Sequence, residues 1–176
     1  MDWCSMKHEL IFWDIIENML TSNTGSTTVL LEAITGCSLN VKVLKQETLL
    51  KNRNLQWSGN TICRQSVLFT AEKEVSYNIV YINWDELNSN IRDALKKGTE
   101  PIGKIIMNTD HRRELLYSGI VTREIQSEFN INESCMDNVL KKYAIWTGNV
   151  CLFLIYEIYY IDNLKYCINI RKKRGA

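Results

Sequence analysis

Residues 143–161, YAIWTGNVCLFLIYEIYYI, decide the fold. Gly148-Asn149 is a two-residue turn signal between runs rich in aromatic and β-branched residues, so the segment predicts an antiparallel hairpin of strands 143–147 and 150–161. Alternation along the second strand puts Cys151, Phe153, Ile155, Glu157 and Tyr159 on one face. Glu157 interrupts an otherwise apolar run. If that face is the core, its carboxylate must be paired, protonated or solvated, because an unpaired buried charge is prohibitively costly. Desolvation would prepare it for proton transfer. The other reading is an edge strand on which Glu157 simply meets water.

Working outward, residues 39–49, 61–70 and 76–83 read as strands, with Glu72-Lys73-Glu74 as an exposed turn. Asp162-Asn163 can turn the chain into a last strand, 164–170. Residues 7–20 carry apolar groups at helical spacing. Ser26 can cap a short helix that Gly36 closes. Residues 84–97 form an amphipathic helix before Gly98, and Pro101 can start another over 101–107. Residues 110–118 read as one more turn or two of helix, 51–60 as a polar loop, and 120–133 fit neither pattern. Strands joined directly by short turns pair antiparallel. The fold class is therefore α+β, one antiparallel sheet with helices packed on one face.

The chain has 176 residues, 45% apolar and 23% charged, with formal net charge +1. That suits one domain over 1–176 with one core, and argues against a large nucleic-acid footprint. The basic run at 171–174 reads as a solvated tail. No signal peptide or membrane-spanning run is visible, so the chain reads as cytoplasmic, with no membrane partner. Six scattered cysteines without a CxxC pair read as reduced core residues. Two distant histidines give no metal spacing, so no metal site is expected. There is no Gly-rich phosphate loop and no nucleophile motif. The oligomeric state is not legible.

Arg64 lies in TICRQSVLF, where Ile62, Arg64, Ser66 and Leu68 share one face and both faces are mixed. Turned inward, it offers a planar fork of donors suited to a carboxylate; otherwise it pairs with an acid or meets solvent. Lys45 shares a strand face with Val41 and Val43, and either adds charge beside a carboxylate ligand or ends the strand in solvent. Pro101-Ile102-Gly103 offers free amides at a helix start.

The order of these blocks resembles the chorismate pyruvate-lyase (4-hydroxybenzoate synthase) family, in its smaller divergent branch. GSTTVLLEAITG, VKVLKQE, CRQSVLF, SYNIVYINWDEL, GTEPIGKII and CLFLIYEIYY match successive family blocks from about Thr24 to Ile161. Ile102 stands where the family has Leu, and 162–176 has no counterpart. The resemblance implies a chorismate lyase-like fold: six antiparallel strands, helices on one side and an internal ligand cavity. It implies a cofactor-free lyase converting chorismate to 4-hydroxybenzoate and pyruvate. Arg64 would hold the ring carboxylate and Glu157 the ring hydroxyl end, with Thr27 and Ile102 touching the ligand through backbone groups. Lys45 would balance a second carboxylate, and loops 21–25 and 51–60 would close over the site. Besides a purely structural protein that binds no small acid, two alternatives remain. One is a non-catalytic domain that senses a small aromatic acid, as in transcription regulators of the same fold, though no helix-turn-helix is visible. The other is a related lyase acting on another small cyclic acid in secondary metabolism.

Overall fold

The computed structural model describes residues 3–49, 55, 57–129, 131 and 138–174. The chain runs α1 (Trp3–Ser22), α2 (Thr27–Thr35), β1 (Asn40–Leu49), β2 (Thr61–Phe69), β3 (Glu74–Asn83), α3 (Ser89–Lys97) and α4 (Ile102–Ile105). It continues through β4 (Arg112–Ile120), α5 (Arg123–Phe129), β5 (Val139–Thr147), β6 (Val150–Tyr159) and α6 (Ile161–Arg174). The six strands form one antiparallel sheet in the order β1-β2-β3-β6-β5-β4. Two meanders therefore meet at β3 and β6, and those central strands bring distant sequence together.

Local chemistry explains most boundaries. The Ser26 hydroxyl accepts from the Val29 amide at the start of α2, and Gly36 at φ 69° closes that helix. Asn88 caps α3 in the same way and splits the expected 84–97 helix, leaving Trp84–Glu86 as a 3-10 turn. The β2–β3 turn is held by Thr70, whose hydroxyl accepts from the amides of Glu72 and Lys73.

Two sequence expectations are corrected. Residues 110–118 do not form helix: Arg112–Ile120 is edge strand β4. Its charges are confined to Arg112, Arg113 and Glu114, while Leu115, Leu116, Tyr117 and Ile120 are exposed, and a bulge between Leu115 and Tyr117 hides the strand alternation. Residues 164–170 are not a strand but lie in α6, where Leu164, Cys167 and Ile168 are buried at helical spacing. The unmatched extension thus has a structural task. Its apolar stripe packs on α1, α2 and the sheet, and Arg171 donates to the Ala33 and Ile34 carbonyls at the end of α2.

One sheet face carries two apolar clusters. The first joins α1, α2 and α6 to Leu68, Val139 and Tyr159. The second joins α3 to Ile62, Val80, Ile82, Ile145, Phe153 and Ile155. On the opposite face, Ile125 and Phe129 of α5, with Ile131, cover Cys63, Ile79, Leu140, Tyr156 and Ile158. Among the described residues no helix is long and apolar enough to cross a membrane.

Candidate functional site

Strand register assembles the site. Directly opposed residues on antiparallel strands point to the same side of a sheet. The pairings Ser66↔Asn78, Asn78↔Glu157 and Glu157↔Lys141 therefore lay a polar row across β2, β3, β6 and β5. The neighbouring row runs Arg64, Val80, Ile155 and Tyr143. The polar row lies between the two apolar clusters, and the neighbouring row, Arg64 apart, belongs to the second of them. Arg64 and Glu157 thus share a face, two strands apart and one row offset, or about 12 Å between Cα atoms from standard strand spacings.

Arg64 is completely buried, with relative exposure of 0%. Its Nη1 donates to the Leu95 carbonyl at 3.2 Å, while Nε and Nη2 have no partner. Burial lowers its pKa from the usual value, yet a guanidinium remains charged throughout the physiological range. Glu157 is also buried, at 6%. It accepts a hydrogen bond from the Tyr159 hydroxyl at 2.8 Å. Tyr143 and Tyr159 are held well above the usual phenol range, first by burial and then by the Glu157 charge. They are therefore protonated donors around that carboxylate. The Thr27 hydroxyl lies near both phenols and favours their ionised forms, but makes no hydrogen bond of good geometry. Lys141, 1% exposed, donates to the Asn23 carbonyl and lies over the Tyr143 ring. Burial lowers its pKa; the Glu157 charge opposes that shift and Arg113 adds to it.

Arg64, Glu157, Thr27 and Ile102 line one cavity with Thr28, Ser66, Asn78, Pro101, Gly103, Arg113, Tyr143 and apolar residues of the sheet. Its volume is ≈ 30 Å³. That is room for a water or two, about an order of magnitude below a typical ligand pocket. Admitting a ring would require the covering elements to shift. The cover is the α2 start packed on α4. A Cβ on Gly103 would lie 2.8 Å from Thr28 Oγ1 and 3.1 Å from Ser26 Oγ. Lys104 of α4 pairs with Glu32 of α2 at 2.7 Å, and Glu32 also accepts from the Leu39 amide.

Four of the five site residues expected from sequence therefore meet at one cavity, and Lys45 does not. A bulge between Val43 and Lys45 sets Lys45 opposite Gln65. The extra residue, Leu44, reverses the alternation that the sequence implied, turning Lys45 to the outer face and Gln46 to the side of Arg64. Lys45 is 56% exposed and pairs with Glu47 at 2.8 Å. Of the loops expected to close the site, 21–25 is tied near Glu157 through the bond from Lys141 to Asn23. Residues 51–54 and 56 of the other lie outside the described residues.

Sequence reasoning missed Asn78, Lys141, Tyr143, Tyr159 and Arg113. The first four had a signal in the strand register opposite and beside Glu157, because each sits in an apolar strand on its face. Arg113 had none once its segment was read as helix. Asn78 Oδ1 and Arg113 Nε are buried without partners, so the cavity holds orphaned polar atoms of both signs.

The fold is shared with solved structures. PhnF from Mycobacterium smegmatis is 11% identical, with a TM-score of 0.53 over 79% of this chain and 65% of that one. The effector domain of PhnF from the same organism is also 11% identical, with a TM-score of 0.54 over 79% of this chain and 90% of that one. This chain therefore spans about two-thirds of the length of PhnF, and at such identity the likeness speaks for the fold alone. No curated protein matches. The family of chorismate pyruvate-lyases described as Rv2949c-like matches residues 20–166, most of the sequence. By that match the chain belongs to the Rv2949c-like chorismate pyruvate-lyase family.

Proposed function

We propose that this chain, as one domain over 1–176, is a working chorismate pyruvate-lyase that makes 4-hydroxybenzoate and pyruvate. One observation carries the reading: a fully buried guanidinium with two unpartnered nitrogens lines the same cavity as a buried carboxylate. A buried cation without a counter-ion is costly in the free protein, and an anionic ligand removes that cost.

Arg64 would grip the ring carboxylate through Nε and Nη2, a bidentate charge-assisted pair. The ring would then lie over Val80 and Ile155 toward Glu157. The reaction breaks the ether C–O bond to the enolpyruvyl group and removes the proton from the ring carbon bearing the hydroxyl. The electrons of that C–H bond close the aromatic ring as the ether electrons leave with enolpyruvate. Glu157 is the base that receives the proton, and returning it to the enolpyruvate methylene gives pyruvate, so no net proton is gained or lost. Tyr159 donates to Glu157 and fixes its orientation, with the Tyr143 phenol beside it. Thr27 and Ile102 would contact the ring from the cover. Aromatisation drives the step, so the protein supplies positioning, one base and charge.

The test is to mix purified protein with chorismate and follow both products. Equimolar pyruvate and 4-hydroxybenzoate support the proposal. Binding of 4-hydroxybenzoate without pyruvate release would instead favour a sensing domain, a reading motivated by the shared fold of the PhnF effector domain. Turnover of a related cyclic acid with chorismate inert would move the assignment to a sister lyase.

A further inference from the structure

We infer that Arg113 is a second anion-gripping residue of this cavity, and that it holds the enolpyruvyl carboxylate, which the substrate carries and the aromatic product lacks. The inference rests on the function proposed above and names a specificity residue for it.

Strand order gives the first argument. Glu157 stands on β6, Arg64 on β2 and Arg113 on β4, so each arginine lies two strands from the carboxylate on opposite sides. Arg113 pairs with Ile145, which pairs with Phe153, and so points to the same face as Glu157. All three side chains line one cavity. A molecule with an anionic group at each end would span the arginines across Ile155 and Phe153 of β6, with Glu157 beside its ring end. Chorismate has that layout: one carboxylate on the ring, one on the enolpyruvyl arm, and the reacting carbons between them.

Charge gives the second. Arg113 Nε is buried without a partner, and among the described residues no carboxylate lies within ion-pair distance of Arg113. Its neighbour Arg112 faces outward, lying over the Trp146 ring and pairing with Glu114 at 3.5 Å. Two guanidinium groups and one carboxylate line the cavity, an excess of positive charge that suits a dianion. An inward charge on an edge strand can also serve only to block strand pairing. That role would not distinguish a dicarboxylate from a monocarboxylate.

After the ether bond breaks, 4-hydroxybenzoate keeps the Arg64 contact alone, while pyruvate keeps the Arg113 contact. The two products are thereby held separately and can leave separately.

The experiment compares wild type, Arg113→Ala, Arg113→Lys and Arg64→Ala as full-length protein. Chorismate kcat and KM are measured, together with calorimetric binding of chorismate and of 4-hydroxybenzoate. Arg113→Ala should weaken chorismate about 10- to 100-fold, chiefly in KM, the loss expected for a charged hydrogen-bonded pair. Its 4-hydroxybenzoate affinity should change by less than about 3-fold, since that contact lies within ordinary surface effects. Arg113→Lys should recover part of the chorismate loss, and Arg64→Ala should lose both ligands. Equal weakening of both ligands by Arg113→Ala, or of neither, overturns the inference while leaving the lyase reading intact. Wild-type protein that binds neither ligand overturns both. If Arg113→Ala unfolds, Arg113→Met supplies the same comparison.

Discussion

Replacing Arg64 with methionine should make the ligand-free protein more stable while abolishing ligand binding. Arg64 is fully buried and keeps one hydrogen bond, from Nη1 to the Leu95 carbonyl, against two unpartnered nitrogens. Each unpaired buried donor costs about 1–3 kcal/mol, and water held in the small cavity recovers part of that. Losing the bond to Leu95 returns about 1 kcal/mol. Methionine fills similar space with an unbranched apolar chain. The net gain is about 2 kcal/mol, which for a chain of this size is roughly 4–8 °C in Tm. Thermal unfolding followed by circular dichroism, with and without 4-hydroxybenzoate, reads both effects. Wild type should gain about 2.7 kcal/mol of stability at a hundred times Kd, and the variant nothing. An Arg64→Met protein that melts below ligand-free wild type would refute the reasoning, because it would mean that Arg64 is satisfied in the resting state.

Glu157→Gln keeps the shape and the Tyr159 contact but removes the base. It should fold normally and lose at least about 100-fold in kcat, measured by pyruvate release. Gly103→Ala drives a methyl group into Thr28 and Ser26 where α4 meets α2. It should cost about 1–3 kcal/mol in denaturant unfolding of the ligand-free protein, because the cover can no longer seat. Burial pushes the Glu32 carboxyl up, but Lys104 and the Leu39 amide outweigh it and leave its pKa below the usual 4.5. A depressed carboxylate stabilises the fold above its unfolded pKa and loses that contribution as pH falls through its folded pKa. Glu32→Gln should therefore flatten the Tm-versus-pH curve below about pH 4.5, measured against wild type.

Much of the site was legible because chemistry that conflicts with a local pattern is visible in sequence. Glu157 breaks an apolar hairpin strand, and Arg64 sits on a strand with no clear outer face. Both faces of β2 prove to be buried, which is why its alternation gave no direction. What stayed hidden depended on irregularity or on long-range pairing. One extra residue at the β1 bulge inverted the side assigned to Lys45. A bulge between Leu115 and Tyr117 broke the alternation of β4, made it resemble helix and removed Arg113 from view. Residues 164–170 alternate weakly and also fit a helix, and only packing against Leu31 and Tyr159 settles the choice. Lys141 and Asn78 became informative only once register placed them in the row of Glu157.

One small aromatic acid is proposed to bridge Arg64 and Glu157 between the sheet and the α2–α4 cover. The most direct measurement is a crystal structure with 4-hydroxybenzoate bound. The carboxylate should pair with Nε and Nη2 of Arg64, the hydroxyl should point to Glu157, and the α2–α4 cover should be displaced outward from its present position. A ligand seated outside the cavity, or one turned so that its carboxylate lies away from Arg64, would contradict this placement.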